Sequence, residues 1–163
     1  VVGVNTTRPV GPKDGEVSRS QIERVSGRLR SARREQLRVV VTHQPACVMR
    51  DEDEKDRLHG GHRAVRAWSK AGADLVLGGH IHLPYLSDLC AKVKDTERTM
   101  FCLQAGTAVS HRVRFATPNS VNVLRWSAPG PGGPRGWRAG RWGYDRADDR
   151  FECTHNHELK LAE

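Results

Sequence analysis

Three histidines stand where the chain leaves short apolar runs. His43 follows Val39-Val40-Val41-Thr42, and His80 and His82 follow Asp74-Leu75-Val76-Leu77 through Gly78-Gly79. Neutral imidazole is a good ligand for zinc, iron, nickel and copper. A single histidine after a strand is more often a hydrogen-bonding loop residue. Two separated histidine sites delivered to one place would instead make a cation site, provided the fold brings them together.

The elements that must do so can be read from periodicity. Residues 1–4 and 39–42 and 74–77 read as short buried strands, the second of them a β-branched run. Ser18 stands three residues before Gln21, a capping-box spacing, and Ile22, Val25 and Leu29 share one helical face, predicting a helix that ends near residue 35. A second helix is predicted over 61–71, with Ala64, Val65, Trp68 and Ala71 on one face and Gly72 as its terminal glycine. Strand, helix, strand, helix, strand implies parallel strands joined by helical crossovers. All their C-terminal ends then lie on one sheet edge, where ligand sites of open α/β sheets are found. His43, His80 and His82 should emerge together there. Gly78 and Gly79 are expected to let the backbone turn sharply. In an extended H-x-H pair the rings would point the same way; in a bent turn they would splay.

The later chain reads differently. Residues 100–103 and 121–126 are predicted strands, 128–143 a Gly/Pro-rich loop, and 151–159 an edge strand. Cys153, His155 and His157 could line one strand face, although an incidental polar tail is the simpler reading. His59 and His62 flank the second helix and read as solvated, as does the Asp51–Glu54 run. Trp137 and Trp142 lie among Arg135, Arg138 and Arg141, a pattern compatible with base stacking but simpler as loop packing.

The segments Val39-Val40-Val41-Thr42-His43-Gln44-Pro45 and Gly72-Ala73-Asp74-Leu75-Val76-Leu77-Gly78-Gly79-His80-Ile81-His82 resemble the second half of the calcineurin-like metallophosphoesterases. Leu103-Gln104-Ala105-Gly106-Thr107 and Pro118-Asn119-Ser120-Val121-Asn122-Val123-Leu124 are similar to the bacterial single-domain members. The resemblance implies an α/β fold (α+β by some schemes), part of a two-sheet β-sandwich flanked by helices, of the metallo-dependent phosphatase-like kind with its N-terminal half absent. Residues 1–126 would be the C-terminal portion of that domain, and 127–163 a Gly/Pro-rich excursion and final strand or tail of the same domain. It implies that His43 and His80 ligate the second of two metals and His82 the first. Gln44 stands where many relatives carry a second histidine, a change expected in a neighbouring contact rather than in the ligand. His111 and Arg112 would border the phosphate.

The implied cofactors are two divalent ions, manganese, iron or zinc, about 3.5–4 Å apart and sharing a hydroxide that attacks phosphorus. The implied partner is a small phosphate ester, with cyclic nucleotides and other phosphodiesters suggested by family analogy alone. The family also uses Asp-x-His, Gly-Asp and Gly-Asn-His elements that precede this region, and none occurs in the 163 residues. The bridging carboxylate and the general acid are therefore expected upstream of Val1, and the chain alone is expected to be nearly inactive and marginally folded. The alternatives are a non-catalytic remnant with an incomplete metal site and a basic nucleic-acid-binding module.

Composition bounds these readings. No apolar run approaches the roughly 20 residues of a membrane helix, so no membrane partner is expected. Four cysteines without a C-x-x-C pair argue against a zinc ribbon or a disulfide scaffold. The net charge of +8 comes mainly from arginine, but the arginines are scattered from Arg8 to Arg150, which disfavours a dedicated nucleic-acid face. Val1-Val2-Gly3-Val4 shows no leader, and a cytoplasmic location is expected.

Overall fold

Chain segments that read as apolar on both sides belong between two layers, and the computed structural model places them there. It describes residues 1–8, 14–33, 35–127 and 136–161. In chain order the elements are β1 (Val2–Gly3), α1 (Arg19–Arg30), β2 (Val39–Val41), a 3-10 helix (Asp51–Asp56), α2 (Gly61–Lys70), β3 (Leu75–Gly78), β4 (Tyr85–Asp88), α3 (Leu89–Lys92), β5 (Phe101–Gln104), β6 (Ser120–Ser127), β7 (Gly136–Asp145) and β8 (Arg150–Leu159). They form a mixed α/β structure with two sheets and few helices.

The larger sheet has the order β1-β2-β3-β5-β4. The first four of these strands run parallel, with Val39 opposite Leu75 and Val41 opposite Leu77, and β4 is antiparallel to β5. Alternation divides each strand between two cores. Val40, Val76 and Cys102 face α1 and α2, where Ile22, Val25, Leu29, Val65 and Trp68 are buried. Val39, Leu75 and Leu103 face the other way, onto Ala139 and Leu159 of the smaller sheet. That sheet is the antiparallel meander β6-β7-β8. Each large apolar side chain sealed in either core contributes about 1.5–3 kcal/mol.

α1 begins at the expected capping box, Gln21 N donating to Ser18 Oγ at 3.2 Å and Ser18 N donating to Gln21 Oε1 at 2.9 Å. It stops at Arg30 rather than near 35, because Ser31 caps it and returns its hydroxyl to Arg28 O at 2.9 Å. Gly72 follows α2 with φ 93°, as its sequence position suggested. β4 and α3 have no periodic signal long enough to read. Much of the supposed loop over 128–143 is strand: β7 spans Gly136–Asp145, and its glycines sit within cross-strand pairs. Arg135 lies outside the described residues. β6 pairs with β7 and so joins the residues before 127 to those after it in one sheet. Among the described residues, no helix is long and apolar enough to cross a membrane.

Candidate metal centre

The cleft is built by two chain exits locked to each other. At the end of β2, Thr42 N donates to Leu77 O at 2.9 Å, and the Thr42 hydroxyl donates to Gln44 O at 2.8 Å. At the end of β3, Gly79 N donates to His43 O at 2.9 Å. Adjacent parallel strands thus hand off adjacent turns, and the histidines that follow inherit that proximity. His43 Nε2 lies 3.2 Å from His80 Nδ1, with ring centroids 4.9 Å apart and planes at 67°.

The turn is made differently from the expectation. The histidines themselves take the left-handed backbone, His80 at φ 72° and His82 at φ 55°. Gly79 is not at positive φ, and a Cβ there would meet only His43 O at 3.7 Å. Gly78 is needed for room, since a Cβ there would collide with the Gln104 side chain, whose amide donates to Gly79 O. Non-glycine residues at positive φ cost of order 1 kcal/mol each and cluster at functional sites. The bent turn splays the rings: His80 meets His43, while His82 Nδ1 lies 2.9 Å from the carbonyl of Arg112. A carbonyl only accepts, so Nδ1 of His82 carries the proton and its Nε2 keeps a free lone pair. That is the tautomer a metal-ligating imidazole needs.

His43, Asp56, His80, His82, Arg112 and Arg114 line this cleft of about 430 Å³, together with Ile81 and Val113. Burial pushes the His80 imidazole below its ordinary pKa, helped by the neighbouring charges of His43 and His82 and opposed by Asp56 and Asp14. The shift favours the neutral ring, the form that ligates a metal.

Arg112 lines the cleft and supplies the carbonyl that orients His82. His111, on the same loop, is exposed and is not among the lining residues. Gln44 is fully buried elsewhere, its Oε1 accepting from Thr6 Oγ1 at 2.5 Å and its side chain filling the space over Gly15. His59 serves through its backbone, donating to Gly15 O and accepting from Val17 N, and His62 sits in the first turn of α2. In Asp51–Glu54 the residues Asp51, Glu52 and Glu54 are exposed as expected, but the run begins the 3-10 helix and Asp53 is fully buried. Asp53 Oδ1 pairs with Arg114 Nη2 at 2.6 Å.

Sequence reasoning missed Asp56 and Arg114. Asp56 was hidden at the end of an acidic stretch whose helical turn no periodicity announces. Arg114 has no local signal, since its role comes from Asp53, 61 positions earlier.

The donor set can be tested against a metal ion. Two nitrogens bound at about 2.0–2.1 Å to one tetrahedral ion lie roughly 3.3 Å apart. The 3.2 Å between His43 Nε2 and His80 Nδ1 is a hydrogen bond between the two rings, and it is also close to that spacing, so an ion would replace the shared proton. The spacing concerns two nitrogens only. Among the described residues, no group of three or more His, Cys, Asp or Glu is gathered closely enough to hold a metal.

No family model and no curated protein matches the chain. Among solved structures it is similar to a double mutant of Vps29 from Entamoeba histolytica, at 11% identity and a TM-score of 0.36, over 98% of this chain and 98% of that one. A superposition this loose carries no weight for function.

Proposed function

We propose that the chain is the part of a metal-dependent phosphoesterase that holds one divalent cation, manganese, iron or zinc, and receives the phosphate ester. The supporting observation is the 3.2 Å approach of His43 Nε2 to His80 Nδ1, with His82 in the same cleft. When bound, such an ion supplies Lewis-acid polarisation of a phosphoryl oxygen. The remaining work belongs to side chains. Arg112 has no carboxylate partner among the described residues and brings positive charge to the cleft where a phosphate would sit. Arg114 is neutralised by Asp53 and acts as a positioning residue, its Nη1 donating to Ile81 O at 3.4 Å between the two cleft histidines. In this reading the second ion and the general acid come from residues outside the 163. Turnover by the chain alone is accordingly close to zero.

A second reading, a cation-binding remnant without phosphoester chemistry, is favoured by the absence of a gathered third ligand among the described residues. Ester binding separates the two. With zinc present, bis(p-nitrophenyl) phosphate should shift the backbone amide signals of residues 112–114, and it should not do so in His43→Ala. An ester that leaves these signals unmoved, or moves them equally without zinc and in His43→Ala, overturns the phosphoesterase reading in favour of the remnant. Manganese-dependent turnover matching a complete enzyme would overturn the one-ion account.

A further inference from the structure

The smaller sheet turns one face toward the larger, and its cross-strand register gives that face in rows. Trp126, Trp137 and Leu159 form one row, Leu124, Ala139 and His157 the next, and Asn122, Arg141 and His155 the third. Trp137 and Leu159 of the first row and Leu124 and Ala139 of the second belong to the apolar cluster with Leu86, Phe101 and Leu103, while Trp126 is exposed. The third row breaks the pattern. On a face that packs against another sheet, alternation calls for apolar side chains. Here the chain places an amide, a guanidinium and an imidazole, with a second imidazole beside them.

These groups do not neutralise one another or find an acid. Arg141 Nη1 donates to Pro84 O at 3.1 Å, its Nε donates to His155 Nδ1 at 3.2 Å, and its Nη2 lies 2.5 and 2.6 Å from the two ring nitrogens of His155, so each guanidinium nitrogen has one neutral partner and none has an acid. Asn122 Nδ2 donates across to Gln104 O at 2.9 Å, which spends the amide's donor and leaves the row's positive character intact. The rings of His155 and His157 stand 6.1 Å apart at 26°, two positions apart on one strand. Between them and β4 lies a cavity of about 210 Å³ with no Asp or Glu in its lining; its remaining wall includes Leu86, Leu103 and Ala139. The lining shares no residue with the histidine cleft. A half-enclosed guanidinium without a carboxylate is a costly arrangement unless an anion completes it.

We infer that this inter-sheet cavity binds a small oxyanion, a carboxylate or a phosphate with a compact apolar body, held by the Arg141 guanidinium and flanked by His155 and His157. The guanidinium is held by Pro84 and His155, and beyond those contacts Nη1 and Nη2 each keep one N–H, the pair that meets two oxyanion atoms end-on. The apolar wall accepts the few carbons that would accompany the charge. The volume equals roughly seven water molecules at ~30 Å³ each, which admits a tetrahedral or carboxylate head with a few carbons. This inference does not depend on the cation reading above.

The test is a titration of the full chain with inorganic phosphate and, separately, with isobutyrate, followed through the imidazole signals of His155 and His157. Saturable shifts at both rings are expected. They should weaken about tenfold or more in Arg141→Gln, as loss of a charge-assisted pair requires, and remain unchanged in His43→Ala. The anion that binds more tightly assigns the ligand as phosphate-bearing or carboxylate-bearing. Arg141→Lys keeps the charge and loses the fork, so it should weaken binding several-fold, and it serves where Arg141→Gln does not fold. No saturable shift with either anion, or an affinity untouched by both Arg141 variants, overturns the inference.

Discussion

His80 carries two demands on one residue, a left-handed backbone and a ring nitrogen 3.2 Å from His43. Asparagine tolerates the left-handed region but brings no imidazole. His80→Asn is therefore expected to abolish high-affinity zinc binding while shifting the thermal midpoint little. A β-branched replacement such as His80→Val should lose both binding and stability, because it cannot take φ 72° without strain. Calorimetry of the two variants separates ligand loss from backbone strain. At the cleft rim, Asp53 is fully buried and depends on Arg114, whose side chain is about one-third exposed. Arg114→Met leaves that carboxylate buried without its partner and should cost about 3 kcal/mol in urea unfolding. Asp53→Asn should cost less, since no buried charge remains. His43, His80 and His82 were legible at this scale because each follows an apolar run directly. Asp56 and Arg114 were not, because their placement depends on contacts between distant segments.

At the scale of elements, α2 packs beside α1 in the helix-side core. Trp68 is fully buried in the helix-side core, and Trp68→Ala should cost about 3–5 kcal/mol. His62 lies in the first turn of the same helix, and burial, reinforced by Arg57, pushes its imidazole below the ordinary value of 6.5. The sign follows from which state takes up the proton. Above 6.5 both the folded and the unfolded chain hold His62 neutral. As pH falls below 6.5 the unfolded chain protonates first, so stability declines until the folded-state value is passed. Urea midpoints should therefore fall between pH 7.5 and 5.5, and His62→Gln should flatten part of that slope; a slope unchanged in the variant contradicts the assignment. The strands β2 and β3 and the helices α1 and α2 were legible from β-branched runs and helical periodicity. β7 was not, since glycine and proline density reads as loop while its glycines in fact lie in paired positions. The 3-10 helix was hidden for a related reason: four acidic residues in succession look solvated, yet one of them is turned fully inward.

Over the whole molecule, the two candidate sites lie on opposite products of one topology. The parallel sheet gathers strand exits, and with them the histidines, at one edge. The meander covers the sheet's other face with apolar rows until the row of Asn122, Arg141 and His155 departs from the pattern. The parallel part of the larger sheet was legible from the order of elements, whereas the presence of two sheets was implied only by the resemblance. The polar row was not, because reading it needs the register between β7 and β8, which no single strand carries. Among the described arginines, Arg114 and Arg98 pair with the buried carboxylates of Asp53 and Asp74, while Arg112 lines the cleft and Arg141 the cavity between the sheets. The cation centre bears the most weight, and a zinc titration followed through imidazole nitrogen signals addresses it most directly. We expect saturation at one equivalent, with His43, His80 and His82 shifting together. Zinc that fails to saturate, or that moves His155 and His157 while His43 and His80 stay unchanged, contradicts it.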